Sequence, residues 1–206
     1  MQENKEIPPP TVDEMYELGR LFTLGSEVAQ SYERAAFFLK QAADKGHAKA
    51  QYNFGCFLHE GWGVPQSFGE ALHYFTLAAM QGNTRANYMI GCYFFFGYTP
   101  QSSEKGAAYY FQLAAQEGLA DAQYNLGVCL LHGIGVPQSE SDAVHYFKLA
   151  AIQGNANALY NLGICCYSGK GTPPSTGDAI HYLELAAKQG HPKAEEALAT
   201  IARATS

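Results

Sequence analysis

Apolar positions along the chain recur on a 36-residue period, and within each period they carry helical spacing. The segment Ala122–Asn157 sets the register, opening on AQYNLG. Its displaced copies are Ala50–Gly55 (AQYNFG), Ala86–Gly91 (ANYMIG) and Ala158–Gly163 (ALYNLG). Paired alanines at Ala42, Ala78, Ala114, Ala150 and Ala186 keep the same offset, as do Gly46, Gly82, Gly118, Gly154 and Gly190. Numbered from Ala122 as position 1, apolar residues at positions 1, 5, 9 and 12 (Ala122, Leu126, Leu130, Gly133) form one stripe of a helix. Gly127, at position 6, lies beside that stripe, where a missing side chain admits a neighbouring helix.

A Gly-x-Gly-Val-Pro turn closes this first helix at Gly61–Pro65 and Gly133–Pro137, and less regularly at Gly169–Pro173. A second helix follows from a serine that every copy carries: Ser31, Ser67, Ser103, Ser139 and Ser175. Serine accepts from a free N–H of the first turn, and Glu70, Asp142 and Asp178 add acids where the helix dipole favours them. The inner face of the second helix reads Ala143, Val144, Phe147, Ala150 and Ala151, and Gly154 closes it. Each unit is thus a helix, a tight loop and an antiparallel helix, which buries its apolar faces only by stacking on neighbours.

The string AQYNLGVCLLHGIGVPQS…AVHYFKLAAIQGN resembles the Sel-1-like repeat family, relatives of the tetratricopeptide repeat, from roughly Glu14 to Ala202. The matching elements are Ala-x-x-x-Leu-Gly, Gly-x-Gly-Val-x-x-Asp and Ala-x-x-Tyr-Tyr-x-x-Ala-Ala-x-x-Gly. Serine stands for the family's capping aspartate, and both residues cap. Glu27 and Val28 replace the loop's second glycine and valine in the first copy. Gly97-Tyr98-Thr99-Pro100 gives the third loop a different expected path. The resemblance implies an all-α, right-handed α-α superhelix. Its expected parts are a Pro-rich flexible lead-in (1–11), a solenoid over 12–206 with repeats at 14–49, 50–85, 86–121, 122–157 and 158–193, and a capping helix at 194–206. The cap reading rests on Ala194, Leu198, Ile201 and Ala202, which repeat a core face while Glu195, Glu196 and Arg203 occupy the others. The resemblance also implies an adaptor's role, binding proteins inside signalling or quality-control assemblies.

At 206 residues and 47% hydrophobic content the chain holds ample material for a core, and mean hydropathy is −0.19. A net charge of −6 without a basic stripe speaks against nucleic acid or an anionic membrane as partner. No signal-peptide pattern and no membrane-spanning run occur in this sequence. Five cysteines, Cys56, Cys92, Cys129, Cys165 and Cys166, show no Cys-x-x-Cys spacing. They are read as reduced, buried thiols in preference to a zinc or redox site, which places the protein in the cytoplasm. Nothing in the sequence sets the oligomeric state, with a monomer favoured.

His73, His145 and His181 share one position of the second helix, opposite its core face, with Tyr109 in the third copy. They are read as solvated rather than metal-binding, since helices about 8–10 Å apart are wide for shared ligation. A nucleophile elbow, a phosphate loop after a strand, and His-Glu-x-x-His are all lacking, so the protein is read as no enzyme, needing no cofactor. A Cys/His hydrolase is the remaining catalytic alternative.

Positions 3, 7 and 10 of the first helix lie opposite the core stripe, with position 11 at their edge. Position 3 is tyrosine in each copy: Tyr16, Tyr52, Tyr88, Tyr124 and Tyr160. The rest of this face adds Cys56 and His59, then Cys92, Phe95 and Phe96, then Val128 and Leu131, then Ile164 and Tyr167. Asn53, Asn125 and Asn161 flank it at position 4, placed to pair with a ligand's backbone. Either curvature buries these residues among themselves, or they form a concave aromatic groove for a partner peptide or domain. The groove is the preferred reading and makes the protein an interaction scaffold. A regulatory module of a larger enzyme or assembly is the alternative.

Overall fold

A computed structural model describes residues 9–100 and 102–205. Among them are eleven α-helices and no strand. The first helices are α1 (Val12–Leu24), α3 (Ala48–Glu60), α5 (Thr84–Phe96), α7 (Ala120–His132) and α9 (Ala156–Ser168). The second helices are α2 (Tyr32–Asp44), α4 (Phe68–Met80), α6 (Glu104–Gln116), α8 (Glu140–Ile152) and α10 (Thr176–Lys188), and α11 (Ala194–Thr205) follows the last. No helix of the described residues is long and apolar enough to cross a membrane. The chain divides into two compact units, Met1–Ala86 and Asn87–Ser206.

The expected caps form. Ser31, Ser67, Ser103, Ser139 and Ser175 each accept from the backbone N–H three residues on, at Arg34, Glu70, Gly106, Asp142 and Asp178. Thr11, placed in the lead-in by sequence, is the N-cap of α1, in a reciprocal capping box with Glu14. The remainder of the lead-in up to residue 8 lies outside the described residues.

The core stripe of the first helix takes in position 9 as expected in α1, α3 and α9, where Phe22, Leu58 and Cys166 are buried, but in α7 it runs through position 8. In α7, Ala122, Leu126 and Cys129 are buried while Leu130 is half-buried, and Gly133 is the left-handed C-cap. The reason is angular: at about 100° per residue, position 8 falls within 60° of positions 1 and 5, and position 9 lies at the edge. The burial extends from there to the position-6 glycine, onto which the second helix packs.

Within Met1–Ala86, the second repeat grips the first through glutamines. Gln51 donates to the Ala43 carbonyl at 3.2 Å, and Gln81 donates to the Gly46 carbonyl at 3.0 Å and to Gln51 at 2.7 Å. The arrangement returns within Asn87–Ser206. Gln123 reaches Ala115 at 3.3 Å, and Gln153 reaches Gly118 at 3.0 Å and Gln123 at 2.9 Å. Gln51 and Gln123 are each only 4% exposed, and these bonds satisfy amides whose burial is otherwise costly.

The loops stack as well. Gly135 holds φ +68°, and a Cβ there would lie 2.1 Å from the Glu104 carbonyl oxygen at the start of α6. The preceding Gly133, at φ +71°, has no neighbour closer than 3.4 Å to such a carbon. Gly133→Ala should therefore cost only the left-handed penalty of about 1–2 kcal/mol, and Gly135→Ala about 2 kcal/mol or more beyond that. Denaturant unfolding of the two variants checks the order; equal losses would refute loop-on-helix contact as the reason for the second glycine.

Candidate functional site

The face opposite the core stripe is half-buried, not freely solvated. In Met1–Ala86 it is carried by α1 and α3. The Tyr52 ring leans on Phe75 of its own repeat at 5.9 Å, and its hydroxyl donates toward the Cys56 sulfur one turn on. His59 lies 3.8 Å from Glu60 and 5.5 Å from the Phe68 ring. Between α1 and α3 opens a cavity of about 260 Å³ lined by Arg20, Thr23, Leu24, Asn53, Cys56, Phe57 and Trp62. Tyr52 is not part of its lining. Arg20 and Leu24 hold the same repeat positions as Cys56 and Glu60, so the periodicity alone could have flagged them. Trp62, 41% exposed and stacked on Tyr32 at 5.4 Å, sits in the loop and is invisible to helical periodicity.

In Asn87–Ser206 the face spans α5, α7 and α9. Tyr88 and Tyr124 lean on Phe111 and Phe147 at 6.0 and 6.2 Å, repeating the Tyr52 geometry. The Asn125 amide donates to the Tyr88 hydroxyl, and the Asn161 amide to that of Tyr124, so each links adjacent first helices. These two asparagines thus already have internal partners, whereas Asn53 lines the α1/α3 cavity. Tyr124, Val128, Leu131, Tyr160 and Ile164 all rest on one buried cluster that includes Phe147, Leu162 and Leu183, which puts them on a common side. Cys92 is buried beneath Tyr88, whose hydroxyl donates toward its sulfur.

Phe95 and Phe96 are 37% and 62% exposed, and they form an edge-on pair at 5.2 Å. Phe95 also approaches the buried Phe111 at 6.0 Å, and Tyr98 joins Phe96 at 6.0 Å. Three exposed aromatics therefore meet where the third loop departs from its siblings. At the far end Tyr160, Ile164 and Tyr167 of α9 face Lys193, Glu196, Ala197, Thr200 and Ile201 across a cavity of about 310 Å³.

The electrostatics disfavour thiol chemistry. Burial pushes Cys56, Cys92, Cys129 and Cys165 up to about 11 each, and raises Cys166 as well. Tyrosine hydroxyls lower Cys56 and Cys92 by less than desolvation raises them. A thiol so displaced is almost entirely protonated at neutral pH and is a poor nucleophile. Among the described residues no three His, Cys, Asp or Glu side chains group so as to hold a metal ion. His73, His145 and His181 are exposed on the second helices, each edge-on to the next residue's tyrosine at 5.4 Å.

The family model described as Sel1 repeat matches residues 15–47, 48–83, 84–119, 120–155 and 156–191. No curated protein matches the chain. Two solved structures are 28% identical to it. One is a protective antigen of uropathogenic Escherichia coli strains displaying an SLR fold, with a TM-score of 0.87 over 92% of this chain and 41% of that one. The other is a Sel1 repeat protein from Oxalobacter formigenes, with 0.86 over 93% and 76%. An immunity protein from Pseudomonas aeruginosa, 21% identical with a TM-score of 0.55 over 93% of this chain and 72% of that one, shares the fold. The chain spans less than half of the antigen's length.

With all five cysteines free and their thiols shifted upward by burial, the native protein should react slowly with an alkylating reagent at pH 7.5. Denaturation should then release five reactive thiols. Cys56, the one not fully buried, should be modified first. Rapid native labelling of any other cysteine would contradict the burial argument.

Proposed function

Since the chain belongs to the Sel1 repeat family, whose members are commonly protein-interaction scaffolds, we propose that it binds an extended or helical segment of a partner protein on the face of its first helices. The observation that carries this reading is the aromatic cluster of Phe95, Phe96 and Tyr98, exposed on a face whose other members, Tyr167 apart, are buried or half-buried. An isolated exposed hydrophobic residue is ordinary; three in mutual contact are the type of feature that anchors a partner. Tyr88, Cys92, Tyr124, Val128 and Leu131 extend that face along α5 and α7, and Tyr160, Ile164 and Tyr167 along α9. In Met1–Ala86 the corresponding face offers Tyr52, Asn53, Cys56 and His59 around the α1/α3 cavity.

Half-burial gives these side chains fixed orientations before a partner arrives, which lowers the entropy cost of binding. Asn125 and Asn161 serve this reading by holding tyrosines in place. Each amide retains a second donor and its acceptor for a partner's backbone.

The test is Phe95→Ala with Phe96→Ala, set beside an outer-face control of His145→Ala with His181→Ala. Exposure keeps the cost of the phenylalanine pair well below the about 3–5 kcal/mol apiece of buried phenylalanines. The melting temperature should fall by only about 4–8 °C at most. Partner capture from the native lysate should be lost with the phenylalanine variant and kept with the control. Capture that survives the phenylalanine change, or that both variants lose equally, rejects this face as the binding site.

A further inference from the structure

Position 34 of each repeat lies just before the next first helix, and in the first, second and fourth repeats the side chain there caps it; Leu119 of the third has no such bond, and His191 of the fifth bonds the turn that leads into α11. Asn83 Oδ1 accepts from Ala86 N–H at 3.0 Å, and Asn155 Oδ1 from Ala158 N–H at 2.9 Å. In the first and last repeats this position is histidine. His47 Nδ1 accepts from Ala50 N–H at 3.1 Å, and His191 Nδ1 accepts from Lys193 N–H at 3.3 Å. An asparagine oxygen accepts at any pH of interest, whereas an imidazole nitrogen accepts only while it is unprotonated.

The two histidines differ in their surroundings. His47 stacks on the Tyr16 ring of α1 at 4.4 Å, and its Nε2 lies 3.5 Å from the Asp13 carboxylate, which welcomes a proton. His191 stacks on the Tyr160 ring of α9 at 4.3 Å and 15°. The charge it faces is the Lys193 ammonium. Glu195 and Glu196, in the first turn of α11, are exposed, and no carboxylate pairs with His191 among the described residues.

We propose that α11 is an acid-released closure of the last repeat, held in place by the turn before it, in which the neutral His191 accepts from the Lys193 N–H. Ala194, the first residue of α11, is fully buried against Leu159 and Ala186, and Ile201 two turns on belongs to the core cluster. Protonation converts Nδ1 from acceptor to donor, facing it against the Lys193 N–H it now serves. It also sets a cation beside Lys193 at the positive end of α11. The first turn then frays, Ala194 leaves its seat, and the cavity between α9 and α11 loses a wall.

Burial, and after it Lys193, hold the His191 pKa below its ordinary 6.5. Because the folded state binds the proton less readily than the unfolded one, this contribution is complete above that ordinary value. It is lost as pH falls through the lower folded value.

Hydrogen exchange of the protein, corrected for the chemical rate, reads this directly. Between pH 7.5 and 5.0, the amides of Glu196–Leu198 should lose about five- to tenfold protection relative to those of α9. His191→Asn puts an acceptor that does not titrate at the same place, and should abolish the pH dependence while keeping the helix. Unchanged protection in the parent protein, or the same loss in H191N, overturns the proposal. Should H191N fail to fold, the imidazole NMR titration of the parent decides instead. A His191 midpoint that matches the loss of protection sustains the proposal, and a midpoint that departs from it sinks it.

Discussion

Everything in each repeat hangs on one contact, between a glycine of the first helix and a large side chain of the second. A Cβ on Gly55, Gly91 or Gly127 would lie 2.6–2.7 Å from the ring of Phe75, Phe111 or Phe147. On Gly19 or Gly163 it would strike Leu39 or Leu183 at 2.7 and 2.8 Å. All five of those side chains are essentially fully buried. The close approach fixes the spacing of the two helices, and ordinary core packing then follows from it. Any side chain on the glycine would push the helices apart along their whole length, so the constraint is steric before it is hydrophobic.

The tyrosines of the face opposite the core stripe are downstream of the same contact. Where the second helix supplies phenylalanine, the tyrosine leans on that ring, as Tyr52, Tyr88 and Tyr124 do. Where it supplies the smaller Leu39 or Leu183, the tyrosine turns to a histidine instead, Tyr16 to His47 and Tyr160 to His191. Each tyrosine thus keeps an aromatic neighbour, but in the terminal repeats that neighbour is titratable and also accepts from the backbone, His47 as the N-cap of α3 and His191 in the turn before α11. The exchange of phenylalanine for leucine in the core is therefore linked to chemistry on the surface, through a ring that must rest on something.

The fold was legible because its determinants are local and repeat: serine caps, closing glycines and paired alanines each recur at a fixed offset. The site was legible only in outline. A helical wheel places Tyr88 and Phe96 on one side, and the structure separates them, Tyr88 half-buried and tied to Asn125, Phe96 mostly exposed. That difference arises from the width of the core stripe, which reaches position 6, and a wheel drawn for a single helix has no partner to widen it. Trp62 and Tyr98 escaped because loop residues have no period to obey. His191 was missed for a different reason: it stands where two other copies carry a capping asparagine, which is visible only when position 34 is compared across copies.

Neighbouring repeats are not joined in one uniform way, and the difference is chemical. The second and fourth copies carry Gln51 and Gln123 at position 2, whose amides reach carbonyls of the preceding second helix and pair with Gln81 and Gln153. The fifth copy carries Leu159 at that position, buried with Ala186 and Ala194 and packed beside Ala151. A glutamine bond is directional and specifies one register, while a leucine on alanines tolerates sliding. At the next junction, the one that carries His191, position 2 of α11 is the exposed Glu195, so the polar clamp is lacking there as well. Orientation of α11 therefore depends on apolar contacts and on its N-terminal turn, and a change at His191 is not masked by a glutamine holding the same end in place.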